Sequence, residues 1–203
     1  MFDEIEKKYN FRIPDDYKSM HSRGFFSLEK PAHAYDLLDS KYVWVNEMEW
    51  LSLDEILNYE KDEWSKDGFV PFAFNGAGEK WCWYPEYKSG NDVPIVLLPH
   101  GDTGEFYAQN FTQSLFRQII DFISFSIDED DFEEQIKYLR KWSSVFKEYF
   151  RDEWILEISK ILQESSQNFE ALEANIESDY CDKMVNKFLN FDKLDEEFEW
   201  TIN

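Results

Sequence analysis

The sequence is poor in cysteine and contains no long apolar run. Its 203 residues include two cysteines, Cys82 and Cys181, which are too few and too far apart for a disulfide framework. No stretch of about 18 consecutive apolar residues occurs, which excludes a transmembrane helix. The first residues also lack the basic-then-apolar order of a secretory signal peptide. We therefore expect a soluble cytoplasmic protein.

Basic residues are also scarce. Lysine and arginine number 21 against 43 aspartate and glutamate residues, and the formal net charge is −22. Aromatic residues make up 19% of the chain, which is typical of a folded protein and not of a disordered acidic tail. Because phosphate backbones and anionic lipids repel such a charge, we expect neither nucleic acid nor a membrane as partner. The charge favours a cationic partner without locating the binding surface.

Glycine and proline, which make tight turns, are absent from residues 128–203. We expect this part to be entirely helical, because apolar residues recur there at intervals of three and four, as in Phe132, Ile136 and Leu139. The interpretation is an α+β domain at residues 1–127 with a helical extension packed on it. Apolar stripes left uncovered by that packing would allow a second copy to bind, so a homodimer stays open.

Several helices are predicted in the first part of the chain. Apolar residues at intervals of three and four predict a helix over Phe2–Tyr9. Pro14 stands at a favoured first helical position, and Gly24 is placed to end that second helix in a left-handed conformation. The capping-box pattern that begins at Ser52 predicts a third helix through about Glu63.

Short strands joined by glycine-containing turns predict an antiparallel meander. Residues 42–45 are strand-like because they are β-branched and aromatic, and Thr112 is placed to cap a helix that follows the meander. The fold class is therefore α+β, an antiparallel sheet flanked by helices, with an all-helical C-terminal extension. The strands of the meander are predicted at residues 69–74, 80–84, 94–98 and 105–108.

No motif points to catalysis, a cofactor or a metal. Residues 76–80 lack the spacing and the hydroxyl of a phosphate loop, because Glu79 precedes Lys80 and Trp81 follows it, and a hairpin turn fits better. The three histidines lack zinc-site spacing, and the acidic run at 128–131 lacks the glycine and spaced ligands of a calcium loop. No Gly-x-Ser-x-Gly elbow occurs. We therefore expect no catalytic residue, no cofactor and no metal.

The opening of the second helix, Ile13-Pro14-Asp15-Asp16-Tyr17-Lys18, resembles the LPxDYK opening of the SUKH superfamily of Smi/Knr-like domains. The similarity covers about residues 1–125 and depends on a dispersed pattern. It departs from the family where Ser22-Arg23-Gly24 stands in place of an Asn-Gly pair, and the helical extension is additional to the ordinary domain. The later features that follow the family order lie at residues 69–72, 75–78, 93–96, 110–112 and 115–116.

The resemblance implies an α+β domain and, for most bacterial members, an immunity protein that binds a polymorphic toxin and blocks it inside the producing cell. Such toxins are often nucleases or deaminases. Fungal relatives are instead cell-wall regulators that act through protein contacts. The family has no general catalytic residues that could be carried over to this chain. An immunity protein is thus the first hypothesis, and a regulatory scaffold is the alternative.

The acids on turns beside the sheet are the candidates for contact with a basic toxin surface, because they would attract it electrostatically. Trp81 is the candidate aromatic anchor, since tryptophan is common among interface hot spots. For each acid the simpler interpretation of a solubilising charge stays open, as does a core position for the tryptophan. An enzyme acting on a small molecule is the third hypothesis and would require a deep polar pocket. The candidate acids are Glu79, Glu86, Asp102 and Glu105.

Overall fold

A six-stranded antiparallel sheet in chain order forms the centre of the molecule. The computed structural model describes residues 1–27, 37–90, 92–101, 103–165, 169–173, 176 and 179–202. The meander and the α+β class predicted from the sequence are confirmed. The strands are β1 (Glu49–Trp50), β2 (Val70–Phe74), β3 (Lys80–Trp83), β4 (Ile95–Leu98), β5 (Thr103–Ala108) and β6 (Glu197–Glu199).

Helices precede, interrupt and follow the meander. Those before and within it are α1 (Phe2–Tyr9), α2 (Asp15–Ser22), α3 (Leu53–Leu57) and a short 3₁₀ helix (Pro85–Tyr87). After β5 come α4 (Phe111–Asp121), which continues into a π-helix (Phe122–Ser126), and then α5 (Phe132–Phe146), α6 (Asp152–Glu164), α7 (Phe169–Glu173) and α8 (Tyr180–Phe188). None of the helices in the described residues is long and apolar enough to cross a bilayer.

The predicted end of α2 is confirmed in detail. Gly24 has a φ of +83°, and its N–H donates to the carbonyl of His21 at 2.9 Å. The next N–H, of Phe25, donates to the carbonyl of Met20 at 3.2 Å. These two bonds form a Schellman motif, and both Met20 and Phe25 are buried beside it. The glycine is required because the left-handed backbone disfavours a side chain.

Helix α3 begins as predicted but ends early. Ser52 forms the expected capping box with Glu55. The helix then stops at Leu57, six residues before the expected end, because α1 satisfies its last carbonyls. The Lys8 ammonium donates to the carbonyl of Leu57 at 2.6 Å, and the Tyr9 hydroxyl donates to that of Ile56 at 2.9 Å.

Two further local predictions are wrong. Residues 42–45 do not form a strand, because the carbonyls of Val43 and Trp44 accept hydrogen bonds from the indoles of Trp50 and Trp142, at 2.7 and 2.6 Å. The backbone is thus paired without a ladder. Helix α4 is capped by Asn110 and not by Thr112.

The Asn110 side chain explains that difference. Its Oδ1 accepts from the N–H of Gln113 at 3.0 Å, while the Thr112 hydroxyl donates to the same oxygen at 3.0 Å. Asparagine is among the best N-capping residues, and here it starts the helix two residues earlier than expected.

In the described residues after 127 the regular elements are helices up to Phe188 and then a strand, so the expectation of an entirely helical extension is wrong at its end. Strand β6 pairs antiparallel with β5, with Phe198 opposite Gly104. The alternation of Glu197, Phe198, Glu199 and Trp200 has the period of two that marks a strand. This strand covers an edge of β5 that would otherwise be unpaired.

Side chains pack on both faces of the sheet. The larger cluster lies on the face that the helices cover, and it includes residues from both parts of the chain. Phe116 of α4 and Trp154 of α6, for example, stack with ring centroids 4.6 Å apart. The smaller cluster lies on the other face and consists of Cys82, Val96, Leu98, Phe106 and Trp200. The division of the chain at residue 127 stays a prediction.

Candidate functional site

A hollow of about 330 Å³ opens on the helix-covered face of the sheet. Four of its lining residues carry carboxylates, and of the described lining residues Arg117 alone is cationic. We name it the acidic hollow. It is lined by Asn46, Glu47, Glu79, Trp81, Leu97, Glu105, Tyr107, Arg117, Gln118, Asp121, Phe125 and Ser126.

The buried side chain of Asn75 joins two of the carboxylates. Its amide nitrogen lies 2.8 Å from a carboxylate oxygen of Glu79 and 3.4 Å from one of Glu47. Its amide oxygen accepts from the N–H groups of Ala77 and Glu79, at 3.1 and 3.0 Å, which holds the turn between β2 and β3. Two like charges from separate loops are thereby held close together at the mouth of the hollow.

The other two carboxylates lie deeper. Burial raises the pKa of Glu105, and the nearby guanidinium of Arg117 only partly opposes this shift. Burial likewise raises the pKa of Asp121, against hydrogen bonds from Tyr107 and Cys181. Desolvation therefore disfavours both anions, and an approaching cation would stabilise them.

Arg117 is shared among several carboxylates, two in the hollow (Glu105 and Asp121) and one outside it. Its Nη1 lies 2.8 Å from a carboxylate oxygen of Asp195, which does not line the hollow, and donates to the carbonyl of Tyr107 at 2.9 Å. Its guanidinium also lies 4.2 Å from the centre of the Tyr107 ring. The excess of negative charge in the hollow is therefore largely unbalanced.

Hydrogen bonds fix the rear wall. The Tyr107 hydroxyl donates to Asp121 at 2.8 Å and accepts from the amide of Gln118 at 2.7 Å. The Cys181 thiol lies 3.3 Å from the other oxygen of Asp121, so α8 of the extension supports this wall. These hydrogen bonds hold the wall in one arrangement, although among the described residues the Gln118 amide oxygen is buried without a hydrogen-bond partner.

The aromatic ring of Phe125 lies at the rim of the acidic hollow. Phe125 lies in the π-helix that follows α4 and is 74% exposed. Its neighbours Phe122 and Ile123 in the same segment are buried. The π-helix widens the helical turn and so places this ring outside the buried stripe. The ring is therefore free to contact a partner at this edge of the hollow.

Three of the five predicted contact residues line the acidic hollow: Glu79, Trp81 and Glu105. Trp81 is nevertheless only 2% exposed, with its ring packed edge-on to Tyr107. Its position on β3 points the indole into the core, because successive strand residues alternate between faces. As a projecting anchor Trp81 is therefore a wrong choice, and it forms the floor of the hollow instead.

Of the other two predicted residues, Glu86 is not brought to this site. Glu86 lies on the 3₁₀ helix, with its carboxylate 3.4 Å from the hydroxyl of Tyr84. Tyr84 packs against the smaller cluster, on the opposite face of the sheet. Asp102 lies outside the described residues.

The lining residues that sequence reasoning missed include Glu47, Asp121 and Phe125. Glu47 lies in an irregular loop, and no sequence pattern marks it as part of a site. Asp121 interrupts an apolar run at the end of α4, and a lone carboxylate in such a run was an available sign of a polar site. Phe125 was hidden because the π-helix departs from the period of 3.6 on which the helical pattern depends.

The comparison with protein families gives one match. The model of the SMI1/KNR4 family (SUKH-1) matches residues 1–117, more than half of the chain. The chain therefore belongs to the SMI1/KNR4 family, as the resemblance predicted. No curated protein and no solved structure matches the chain significantly.

Membership of this family is consistent with the role of an immunity protein or of a non-catalytic regulator. A protein partner is the kind of partner that the family implies. Among the described residues, no three histidine, cysteine or acidic side chains are grouped closely enough to hold a metal ion.

Proposed function

We propose that this chain is a cytoplasmic immunity protein that neutralises a cognate bacterial toxin, a nuclease with a basic active-site cleft. It would do so by covering that cleft one-to-one, without chemistry of its own. The observation that carries the proposal is the acidic hollow, where four carboxylates face one arginine that is already paired. Family membership supports the same kind of partner.

Two physical steps would contribute to such binding. The net charge of −22 attracts a basic surface from a distance and raises the association rate at low salt. Once in contact, lysine or arginine side chains of the toxin would pair with Glu47 and Glu79 and favour the ionised form of the buried Glu105. Phe125 would insert as the apolar anchor, and loss of water around it would slow dissociation.

The first test is co-expression with the toxin encoded beside this gene. Cells should survive when the intact chain is present, and the purified pair should bind one-to-one with an affinity that falls as salt rises. Cells that die equally with and without the chain would contradict the proposal. Binding to several unrelated proteins with weak affinity would favour a regulatory scaffold instead.

The second test locates the surface. The double variant Glu47→Lys with Glu79→Lys should lower the association rate by about 10- to 100-fold at low salt, measured by stopped flow. The single variant Glu79→Lys is then compared with Glu86→Lys as its matched control, which changes the net charge equally at an exposed glutamate on the opposite face. An equal decrease for the control would mean that net charge alone matters and that the acidic hollow is the wrong surface.

A further inference from the structure

A second hollow of about 400 Å³ lies on the opposite face of the sheet, and its charge has the opposite sign. Its lining includes four lysines and one carboxylate, that of Asp67. Acidic residues outnumber basic ones by about two to one in the whole chain, so this local excess of lysine runs against the composition. We name it the lysine pocket, after Lys8, Lys61, Lys66 and Lys80.

Two of the lysines are held in place without being neutralised. Lys8 donates to the carbonyl of Leu57 at 2.6 Å, and Lys66 donates to that of Glu199 at 2.8 Å. Neither forms an ion pair with a carboxylate in the part of the chain that the structure describes. A carbonyl orients an ammonium but leaves its unit charge, and therefore these two positive charges are available to an anion.

The other two lysines have one acidic neighbour each. Lys61 lies 2.6 Å from Asp67, and Lys80 lies 3.5 Å from Asp62, which does not line the pocket. Lys80 also lies 5.6 Å from the centre of the Tyr59 ring and 6.0 Å from that of Trp200. Positive charge and aromatic surface therefore meet in one wall.

Two buried donors in the same wall have no partner. Ser65 and Trp200 are 5% and 3% exposed, and both line the pocket. Among the described residues, neither the Ser65 hydroxyl nor the Trp200 indole N–H forms a hydrogen bond. Both donor atoms are themselves buried, so an acceptor that reached either one would supply a hydrogen bond that the fold leaves unmade.

The pocket is shaped before any ligand arrives. The loop that carries Ser65 and Lys66 is tied to the C-terminal strand, since the Lys66 N–H donates to the Trp200 carbonyl at 2.9 Å and the Ile202 N–H to that of Trp64 at 2.6 Å. Trp200 lies outside the residues that match the family, so the extension builds this wall. Preorganisation of this kind raises affinity because little order must be gained on binding.

We propose that the lysine pocket binds a small organic anion, a carboxylate or phosphate ester carried on a planar apolar ring. The ring would lie against the apolar wall formed with Phe69, Cys82 and Trp200, and the anionic group would face the lysines. The volume suits a small molecule, and the net charge of −22 repels a long polyanion such as a nucleic acid. This inference is independent of the proposed immunity role.

Fluorescence titration of the full chain tests the proposal. The probe is anilinonaphthalene sulfonate, and phenylnaphthylamine, with the same rings and no charge, is the comparison. The anion should bind saturably and one-to-one, at least about tenfold more tightly than the neutral compound. Benzoate and phenyl phosphate should displace it, and whichever is stronger identifies the anionic group. Equal displacement by benzyl alcohol would overturn the proposal.

The variant Lys66→Gln with Lys80→Gln should weaken probe binding by about tenfold or more. The matched control, Lys137→Gln with Lys160→Gln, removes two exposed lysines of α5 and α6 and should leave binding unchanged. Equal affinity in the two variants would overturn the proposal.

A second measurement does not require that the lysine-to-glutamine double variant folds. In protein with ¹³C-methylated lysines, the resonances of Lys66 and Lys80 should shift when the probe is added, while that of Lys137 should not. Single Lys→Arg variants, which keep the charge, assign these signals. A shift confined to lysines outside the pocket would overturn the proposal.

Discussion

The acidic hollow and the lysine pocket lie back to back, on opposite faces of the same strands. Trp81 and Leu97 are paired neighbours that line the first, and Lys80 and Leu98 are the adjacent pair that line the second. A single step along either strand thus changes both the face and the sign of the surrounding charge. The difference teaches that a net charge describes the whole surface and gives no information about an individual cavity.

The two hollows also use aromatic residues differently. The acidic hollow has an exposed ring, Phe125, at its rim, whereas the lysine pocket has Trp200 buried in its wall. A projecting ring can insert into another protein, and a buried ring can only receive something small enough to enter. This contrast is the reason for assigning a protein partner to one face and a small anion to the other.

The largest expected effect concerns the floor of the acidic hollow. Trp81→Ala should lower the free energy of unfolding by about 3–5 kcal/mol, because it empties a buried site in the core. Urea denaturation followed by circular dichroism measures this. If Trp81 were instead a surface anchor, stability would stay within about 0.5 kcal/mol of the parent and only partner binding would fall.

Substitution of Phe125, at the rim of the acidic hollow, should lower toxin binding and leave stability unchanged. Phe125→Ala should leave the unfolding free energy within about 0.5 kcal/mol, since the ring is 74% exposed, and should weaken toxin binding by about 2 kcal/mol or more. Calorimetric titration gives the affinity. Leu156→Ala is the control, as an equally exposed apolar residue on α6, outside the hollow. Equal losses of toxin affinity in the two variants would contradict the role of Phe125 as an anchor.

A substitution in β5, beside the edge strand β6, should distinguish the two hollows. A Cβ at Gly104 would lie 2.8 Å from Leu98 Cδ2, 3.1 Å from the Leu97 carbonyl and 3.1 Å from the Phe198 ring. Gly104→Ala should therefore cost about 1–3 kcal/mol and displace β6, which leads into Trp200. Probe binding in the lysine pocket should fall while toxin binding stays.

The control for this prediction is Gly76→Ala in the turn between β2 and β3. A Cβ there meets nothing within 4 Å, so stability and probe binding should both be unchanged. If Gly104→Ala lowers toxin binding as much as probe binding, the two faces are not independent.

The smallest expected effect depends on pH. Burial raises the pKa of Glu105 above 4.5, so ionisation of this carboxyl group opposes folding. The stability contributed by the protonated form is complete below pH 4.5 and is lost as the pH rises through the folded-state pKa. Glu105→Gln should therefore raise the thermal midpoint by a few degrees at pH 7, and this gain should vanish in more acidic buffer. A gain of the same size at pH 4 would contradict the assignment. Glu86→Gln, in an exposed position, controls for loss of one charge.

Local chemistry was predictable where the partners are close in sequence. The capping box at Ser52, the Schellman motif at Gly24 and the hairpin turn after Asn75 each involve residues a few positions apart, and all three form as expected. The meander is predictable for the same reason, since short turns join neighbouring strands.

Predictions failed where residues distant in the sequence determine the local structure. Residues 42–45 do not form a strand, because an indole from α5, about 100 positions away, donates a hydrogen bond to a carbonyl there. Helix α3 ends early because side chains of α1 donate hydrogen bonds to its last carbonyls. The period of two at residues 197–200 indicates a strand, but it does not say that this strand pairs with the open edge of β5. Trp81 was misjudged because alternation along a strand does not say which face is covered.

By itself, the sequence determined the fold class, the family and the kind of partner, because patterning, turn residues and charge act locally or through sums over the chain. Only the tertiary structure decided which charges meet. It gathered acids from two loops, a strand and a helix into one hollow, and lysines from a helix, a loop and a strand into another. Electrostatic energy depends on distance in space and on burial, and neither quantity can be read along a chain before it folds.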